Sequence, residues 1–187
     1  MALVLLIVGV TACSDDEPAP HDPSSTWSPT GTMEAPSSTA AAVPVEPRLP
    51  DAAREASEAG ARAFIAYYWE LVNYAQVTGD VKALRAASSL NCAGCNAGIR
   101  GVRERRRSGQ RVVGGPHEAA IKMLEKLQTD SGDLNGYHAV VVARHDEQTA
   151  IGADGSEDVR AAGESTFDMY LIWVDQSGWR TDILDVK

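Results

Sequence analysis

Cys92 and Cys95 stand two residues apart in the segment Asn91-Cys92-Ala93-Gly94-Cys95. Such a pair can form a bridge, exchange electrons with another thiol, or supply half of a metal site. A tetrahedral zinc site needs four ligands, and no second pair is present. Haem attachment needs a histidine after the second cysteine, and Asn96 stands there. A thioredoxin-type site sits in a βαβ pattern, and none surrounds this pair. No metal or cofactor is expected from these residues.

Proton transfer would need an acid and a base in one cavity. The residues that could supply them are Tyr67, Tyr68, His138, His145, Asp168, Tyr170 and Asp182. Alternation puts Asp168 with Tyr170 on one face of a strand and Phe167, Met169, Leu171 and Trp173 on the other. Asp168 can therefore face a cavity or solvent. Neither histidine has a nucleophile or carboxylate at a telling spacing, so no catalytic residue is assigned. Tyr67, Asp168, Tyr170 and His138 are kept as pocket residues to locate. The acidic stretches His145-Asp146-Glu147 and Asp154 to Asp158 do not follow the calcium-loop pattern and read as loop. A third group is basic: Arg100, Arg103, Arg105, Arg106, Arg107 and Arg111. It could meet anionic lipid headgroups or acidic wall polymers. With Glu104 interspersed, a solvated helix face is the simpler account.

The elements that must position these groups begin with one aromatic helix, expected from Ala52 to Val77. Phe64, Tyr67, Tyr68, Leu71, Val72 and Ala75 recur at three- and four-residue steps, which makes one apolar face. Asp51 is the expected N-cap and Gly79 the stop. Asp80 caps a second helix, Val81 to Ser88. A third runs from Asn96 to Arg107, with Ile99 and Val102 inward, and breaks at Ser108-Gly109. Arg111 to Val113 is a short strand. His117 to Leu127 reads both ways: Ala, Glu, Lys, Met and Leu favour helix, and tertiary context can make it a strand. Tyr137 to Arg144 is a strand. Asp146 to Gly163 is a polar connection with a turn at Asp154-Gly155. Thr166 to Val174 and Trp179 to Val186 form a hairpin about Asp175 to Gly178. Helices followed by antiparallel strands give an α+β class.

Ahead of these elements, Ala2 to Val10 is wholly apolar apart from Gly9, too short to span a bilayer and suited to a secretory signal. Val10-Thr11-Ala12-Cys13 resembles a bacterial lipobox. That resemblance implies a diacylglyceryl group on the Cys13 thiol and cleavage that leaves Cys13 as the new N-terminus. Two acyl chains give stable anchoring where one is marginal. Nothing basic follows Met1, so the start of the signal is expected upstream of it. From Ser14 to Pro50 the chain is Ser, Thr, Pro, Ala and acids, too poor in apolar surface to offset its ordering entropy. The expected domains are a signal over 1–13, a tether over 14–50 and an α+β domain over 51–187. The formal charge of −9 and pI near 4.9 argue against nucleic acid as a partner.

Gly60 to Cys95, with AFIAYYWELVNYAQVTGD and the following CAGC, resembles an actinobacterial lipoprotein family of unknown function. The lipobox, the Pro/Ser tether and the C-terminal strand pair fit it too. The domain also resembles the nuclear transport factor (cystatin-like) cone fold, in which a curved sheet wraps a long N-terminal helix. The family has no known catalytic residues to carry over. The resemblance implies a place on the outer face of the cytoplasmic membrane, lipid-anchored and facing the cell wall. In that oxidising setting Cys92 and Cys95 are expected to pair as a disulfide. So short a loop contributes only about 2 kcal/mol. The expected function is a non-enzymatic binding or interaction module, with a wall polymer or protein as partner. The alternatives are a small-ligand carrier or enzyme using a cone cavity, and thiol-disulfide exchange at Cys92-Cys95.

Overall fold

Ser57, not Asp51, starts the long helix. Its hydroxyl accepts the Gly60 N–H at 3.0 Å, the bond an N-cap makes. This is a computed structural model that describes residues 43–128 and 134–187. Cys13, the signal and most of the tether lie outside those residues. Helix α1 covers Glu58–Thr78. Asp51–Arg54 is a separate 3₁₀ turn. The expected continuous helix breaks between them because the turn folds back onto the start of α1. A Cβ at Gly60 would overlap the carbonyl oxygen of Glu55, so only glycine permits the approach. At the other end Gly79 takes the left-handed conformation, φ 77°, and returns its N–H to the Ala75 carbonyl.

Phe64, Tyr68, Leu71 and Ala75 are buried as their spacing predicts. Ile65 and Trp69 join them, while Tyr67 and Val72 are half-buried. The buried stripe on α1 is therefore rotated slightly from the predicted one. Helix α2 is short, Lys82–Ala86. Asp80 precedes it and accepts the Lys82 N–H at 2.9 Å. Helix α3, Ala93–Arg107, begins three residues ahead of the expected start. Cys92 caps it: its sulfur accepts the Cys95 N–H at 3.2 Å. Ile99 and Val102 face inward as expected.

Among the described residues seven strands follow: β1 (Arg111–Gly114), β2 (His117–Lys126), β3 (Gly136–His145), β4 (Gln148–Ile151), β5 (Glu157–Arg160), β6 (Gly163–Val174) and β7 (Gly178–Val186). Four form an open antiparallel sheet in the order β2-β3-β6-β7. The other three form a small sheet, β1-β4-β5. With the helices ahead of them, the class is α+β. Val43–Lys187 falls within one contact unit, and Leu49 already packs against its core.

One open reading is resolved here and one expectation is corrected. His117–Lys126 is a strand despite its helix-forming residues. Ile121 and Leu124 both pack on the core although they are three apart, which in a regular strand puts them on opposite faces. An irregularity between Ile121 and Met123 inserts Lys122 as an extra residue and returns Leu124 to the core side. Pairing along all of β3 outweighs local propensity. Asp146 to Gly163 is not a plain connection, because it holds the β4–β5 hairpin. Its turn is where Asp154-Gly155 predicted: Asp154 Oδ1 accepts the Ser156 N–H at 3.0 Å, and Gly155 has φ 81°. The hairpin forms because β1 offers β4 an edge.

The core lies between α1 and one face of the four-stranded sheet. Tyr137, Ala139, Val141 and Ala143 from β3, Met169 and Leu171 from β6, and Trp179 from β7 fill the sheet side. Trp179 Nε1 donates to the Glu55 carbonyl at 2.9 Å, tying the last hairpin to the start of α1. Asn73 on α1 joins the sheet by both amide atoms. Its Nδ2 donates to the His117 carbonyl at 2.9 Å, and its Oδ1 accepts the His117 N–H at 2.8 Å. The half-buried start of β2 is thus hydrogen-bonded by a helix side chain in place of another strand.

Candidate functional site

Helix α3 approaches β7 so closely that a Cβ at Gly94 would overlap the Leu184 carbonyl oxygen. One turn on, at Gly98, a Cβ would meet nothing within 4 Å. Between these two positions the helix lifts away from the sheet and leaves a cleft of about 470 Å³. That lies within the ~300–1,000 Å³ typical of small-ligand sites. Its walls are Trp69 and Val72 from α1, Ile99 and Val102 from α3, Phe167 from β6 and Leu184 from β7. Trp69 meets Phe167 edge-on with ring centres 5.0 Å apart, which makes a firm apolar floor. The indole nitrogen of Trp69 is buried and has no partner among the described residues.

Three polar residues reach the cleft, Gln76, His117 and Arg105; Asp185 borders it from β7, with its side chain on the face it shares with its register partner Asp168. Gln76 Nε2 and His117 Nδ1 are 3.0 Å apart and satisfy each other. Burial, then the nearby charge of His145, pushes the His117 pKa below the ordinary 6.5 and favours the neutral ring. Asp185 is exposed at the rim. Arg105 is half-buried and has no carboxylate within ion-pair distance among the described residues. Among the described residues, no paired acid and base surround a common point in this cleft.

Cys92 and Cys95 lie at disulfide distance, with Cα atoms 5.3 Å apart. Both are buried, at 0% and 2% exposure. Cys95 and Gly94 form the inner end of the cleft. The pair thus holds the first turn of α3, the turn that touches β7.

Of the expected pocket residues, all but Tyr68 lie outside the cleft. His138, Asp168 and Tyr170 lie on the sheet face away from α1. There His138 Nε2 and Asp168 Oδ1 are 2.7 Å apart, Lys187 Nζ is 3.1 Å from the same oxygen, and Tyr170 stacks on His138 at 4.4 Å. The His138 bond, then that of Lys187, holds the Asp168 carboxyl below its usual range. This is a satisfied surface cluster, and it lines none of the clefts described here. Asp182 is the extra residue of a bulge in β7, opposite Tyr170 and Leu171. His145 stands at the end of β3, its ring 5.4 Å from His117. Tyr67 lines a shallow hollow with Phe64 and Trp179 at the other end of α1. Tyr68 alone of this group also reaches the cleft.

The arginines separate too. Arg100, Arg103, Arg106, Arg107 and Arg111 are exposed. Arg105, Arg106 and Arg107 form the last turn of α3, where positive charge complements the helix dipole. Arg105 points along the cleft. A Cβ built at Gly101 would lie 3.5 Å from Arg105 Nη1, so the guanidinium folds back over that bare turn.

Sequence reasoning missed Trp69, Gln76, Gly94, Gly98, His117 and Phe167 as a group. One signal was available. Gly94, Ala97, Gly98, Gly101 and Arg105 recur at three- and four-residue steps along one helix face. Ahead of Arg105 that face carries no side chain larger than a methyl group.

The intermembrane space region of the chloroplast protein ARC6 is similar in structure, with a TM-score of 0.52 at 11% identity. The match covers 70% of this chain and 95% of that one. A periplasmic fragment of TraM matches with a TM-score of 0.46 at 12% identity, over 70% of this chain and 97% of that one. Kfla4162 from Kribbella flavida gives 0.39 at 13%, over 67% and 88%. At these identities the likeness to ARC6 speaks to the fold alone. No curated protein matches the chain. One family model spans residues 31–184, which takes in the aromatic helix, the cysteine pair, the cleft and nearly all of the last strand, and the chain therefore belongs to DUF6318, a family of unknown function.

Proposed function

We propose that this protein is an extracytoplasmic lipoprotein, anchored through Cys13, whose folded part is a non-enzymatic binding module that holds a ligand in the α1–α3–β7 cleft. The single observation behind it is the cleft itself: about 470 Å³ of largely apolar space with, among the described residues, no paired acid and base facing in. This favours the small-ligand carrier reading over a surface module that meets only polymers or proteins. The burial of Cys92 and Cys95 supports a structural bridge over thiol exchange, since exchange needs an accessible sulfur. A helix laid over one face of an open sheet supports the resemblance to the cone fold. The lipobox and tether support the extracytoplasmic, actinobacterial-lipoprotein side of the reading. Among the described residues no helix is long and apolar enough to cross a membrane.

Two measurements test it. In an actinobacterial host, labelled palmitate should enter the full chain, and Cys13→Ser should abolish the label and release the protein from the membrane fraction. Label that persists in Cys13→Ser would end the anchoring claim. For the cleft, the full chain carrying Cys13→Ser should bind the neutral dye N-phenylnaphthylamine one to one. Gly98→Leu adds a side chain where the helix faces open space. It should weaken the dye by about tenfold or more, the equivalent of one apolar side chain's burial. Unchanged binding in Gly98→Leu would show that the dye sits elsewhere and remove the support for the cleft.

A further inference from the structure

The six arginines of the basic run share one helix and its exit, yet one of them is set apart. Arg105 lies on the same face as Gly94, Gly98 and Gly101, and its side chain folds back over Gly101 toward the cleft. It is half-buried, and no acidic group pairs with it among the described residues. Asp185 borders the cleft and is not within ion-pair distance. Arg160 lies near enough to repel Arg105. Burial first, then Arg160, pushes its guanidinium below the ordinary value. A partly desolvated cation without a counter-charge is costly to keep, and an incoming anion would relieve both terms. Apart from Asp185 at the rim and the buried, unpartnered indole N–H of Trp69, the rest of the cleft wall is apolar, and Gln76 and His117 are already bonded to each other.

Resting on the cleft reading above, we infer that the ligand is a single-chain amphiphile whose apolar body fills the cleft and whose anionic head, carboxylate or phosphate, is held by Arg105. The guanidinium supplies two N–H groups side by side, a geometry that matches both heads. The other five arginines stay in solvent and would draw such anions toward the mouth without contacting the bound head.

The test compares dodecanoate, monododecyl phosphate and dodecanol, each below its micelle concentration, on the full chain carrying Cys13→Ser. At least one anionic ligand should bind about ten- to a hundredfold more tightly than dodecanol, the worth of one charge-assisted hydrogen bond. Which of the two gains more identifies a free carboxylate or a lipid-type phosphate as the source. Arg105→Gln should bring the anions down to the dodecanol level, and Arg105→Lys should restore part of the preference. If dodecanol binds as tightly as both anions, the head-group inference falls and the cleft reading stands. If none of the three binds and the neutral dye does not either, both fall. An anion preference that survives Arg105→Gln would also overturn the inference, and would move the head to the exposed arginines.

Discussion

Gly94→Ala should destabilise the folded protein by about 3 kcal/mol or more, the upper range for overpacking. The position has no room for even one methyl group, because that carbon would overlap the Leu184 carbonyl. Backbone atoms of a paired strand cannot rotate aside as a flexible side chain can. Relief requires α3 to shift off β7, and the neighbouring Cys92-Cys95 turn resists that shift. Gly98→Ala is the matched control, four residues along the same helix. There the new methyl meets nothing, and replacing a helical glycine should stabilise by about 1 kcal/mol. Urea unfolding of the two variants, followed by tryptophan fluorescence under oxidising conditions, should move the midpoints in opposite directions. Parallel shifts would mean that helix propensity, and not the approach of α3 to β7, governs both positions.

Tyr68→Ala should cost about 3–5 kcal/mol, the range for removing a buried aromatic ring. The ring is 1% exposed, and it also lies at the back of the cleft. Tyr68→Phe separates packing from hydrogen bonding. The lost contact is the 3.3 Å bond to Ser88, and Ser88 Oγ still donates to the Leu84 carbonyl at 2.8 Å. No buried group is stranded, so Phe should cost only about 1 kcal/mol. A Phe variant as damaging as Ala would mean that the hydroxyl, not the ring, holds this region. The hydroxyl has a pH signature as well. Burial pushes the Tyr68 pKa up from 10.0 to about 12, with the Ser88 bond opposing part of the rise. The folded state therefore keeps its proton where the unfolded chain loses it. Its contribution is complete below pH 10 and is lost as pH rises toward 12. Chemical denaturation at pH 9 and pH 11 should show a steeper loss in the parent chain than in Tyr68→Phe.

The aromatic helix, its stop at Gly79, and strands β3, β6 and β7 were all legible, because each rests on local periodicity or turn chemistry; Asp80 bonds the Lys82 N–H from one residue ahead of the actual N-cap, Val81. The helix start was not. Its cap moves from Asp51 to Ser57 because the Asp51–Arg54 turn folds back on the helix start and brings the Glu55 carbonyl against Gly60. Strand β2 was ambiguous for a definite reason. Ile121 and Leu124 carry a helical spacing that only a bulge at Lys122, set by pairing with β3, turns into a single strand face. The β4–β5 hairpin buries little of its own and exists because β1 supplies an edge.

The site divides along the same line. Residue types and spacing determined that Cys92 and Cys95 could pair, that a basic run ends a helix, and that Asp168 and Tyr170 share a strand face. Only the tertiary structure decided which face of the sheet α1 covers, and so set Asp168, Tyr170 and His138 in a surface cluster. It also decided that one arginine of the run turns inward. A period of two or 3.6 residues defines faces but not which face meets a neighbour. The cleft is bounded by α1, α3, β6 and β7, segments far apart along the chain. Its volume is set by how near Gly94 lets α3 come to β7, a distance that exists only once the chain has folded.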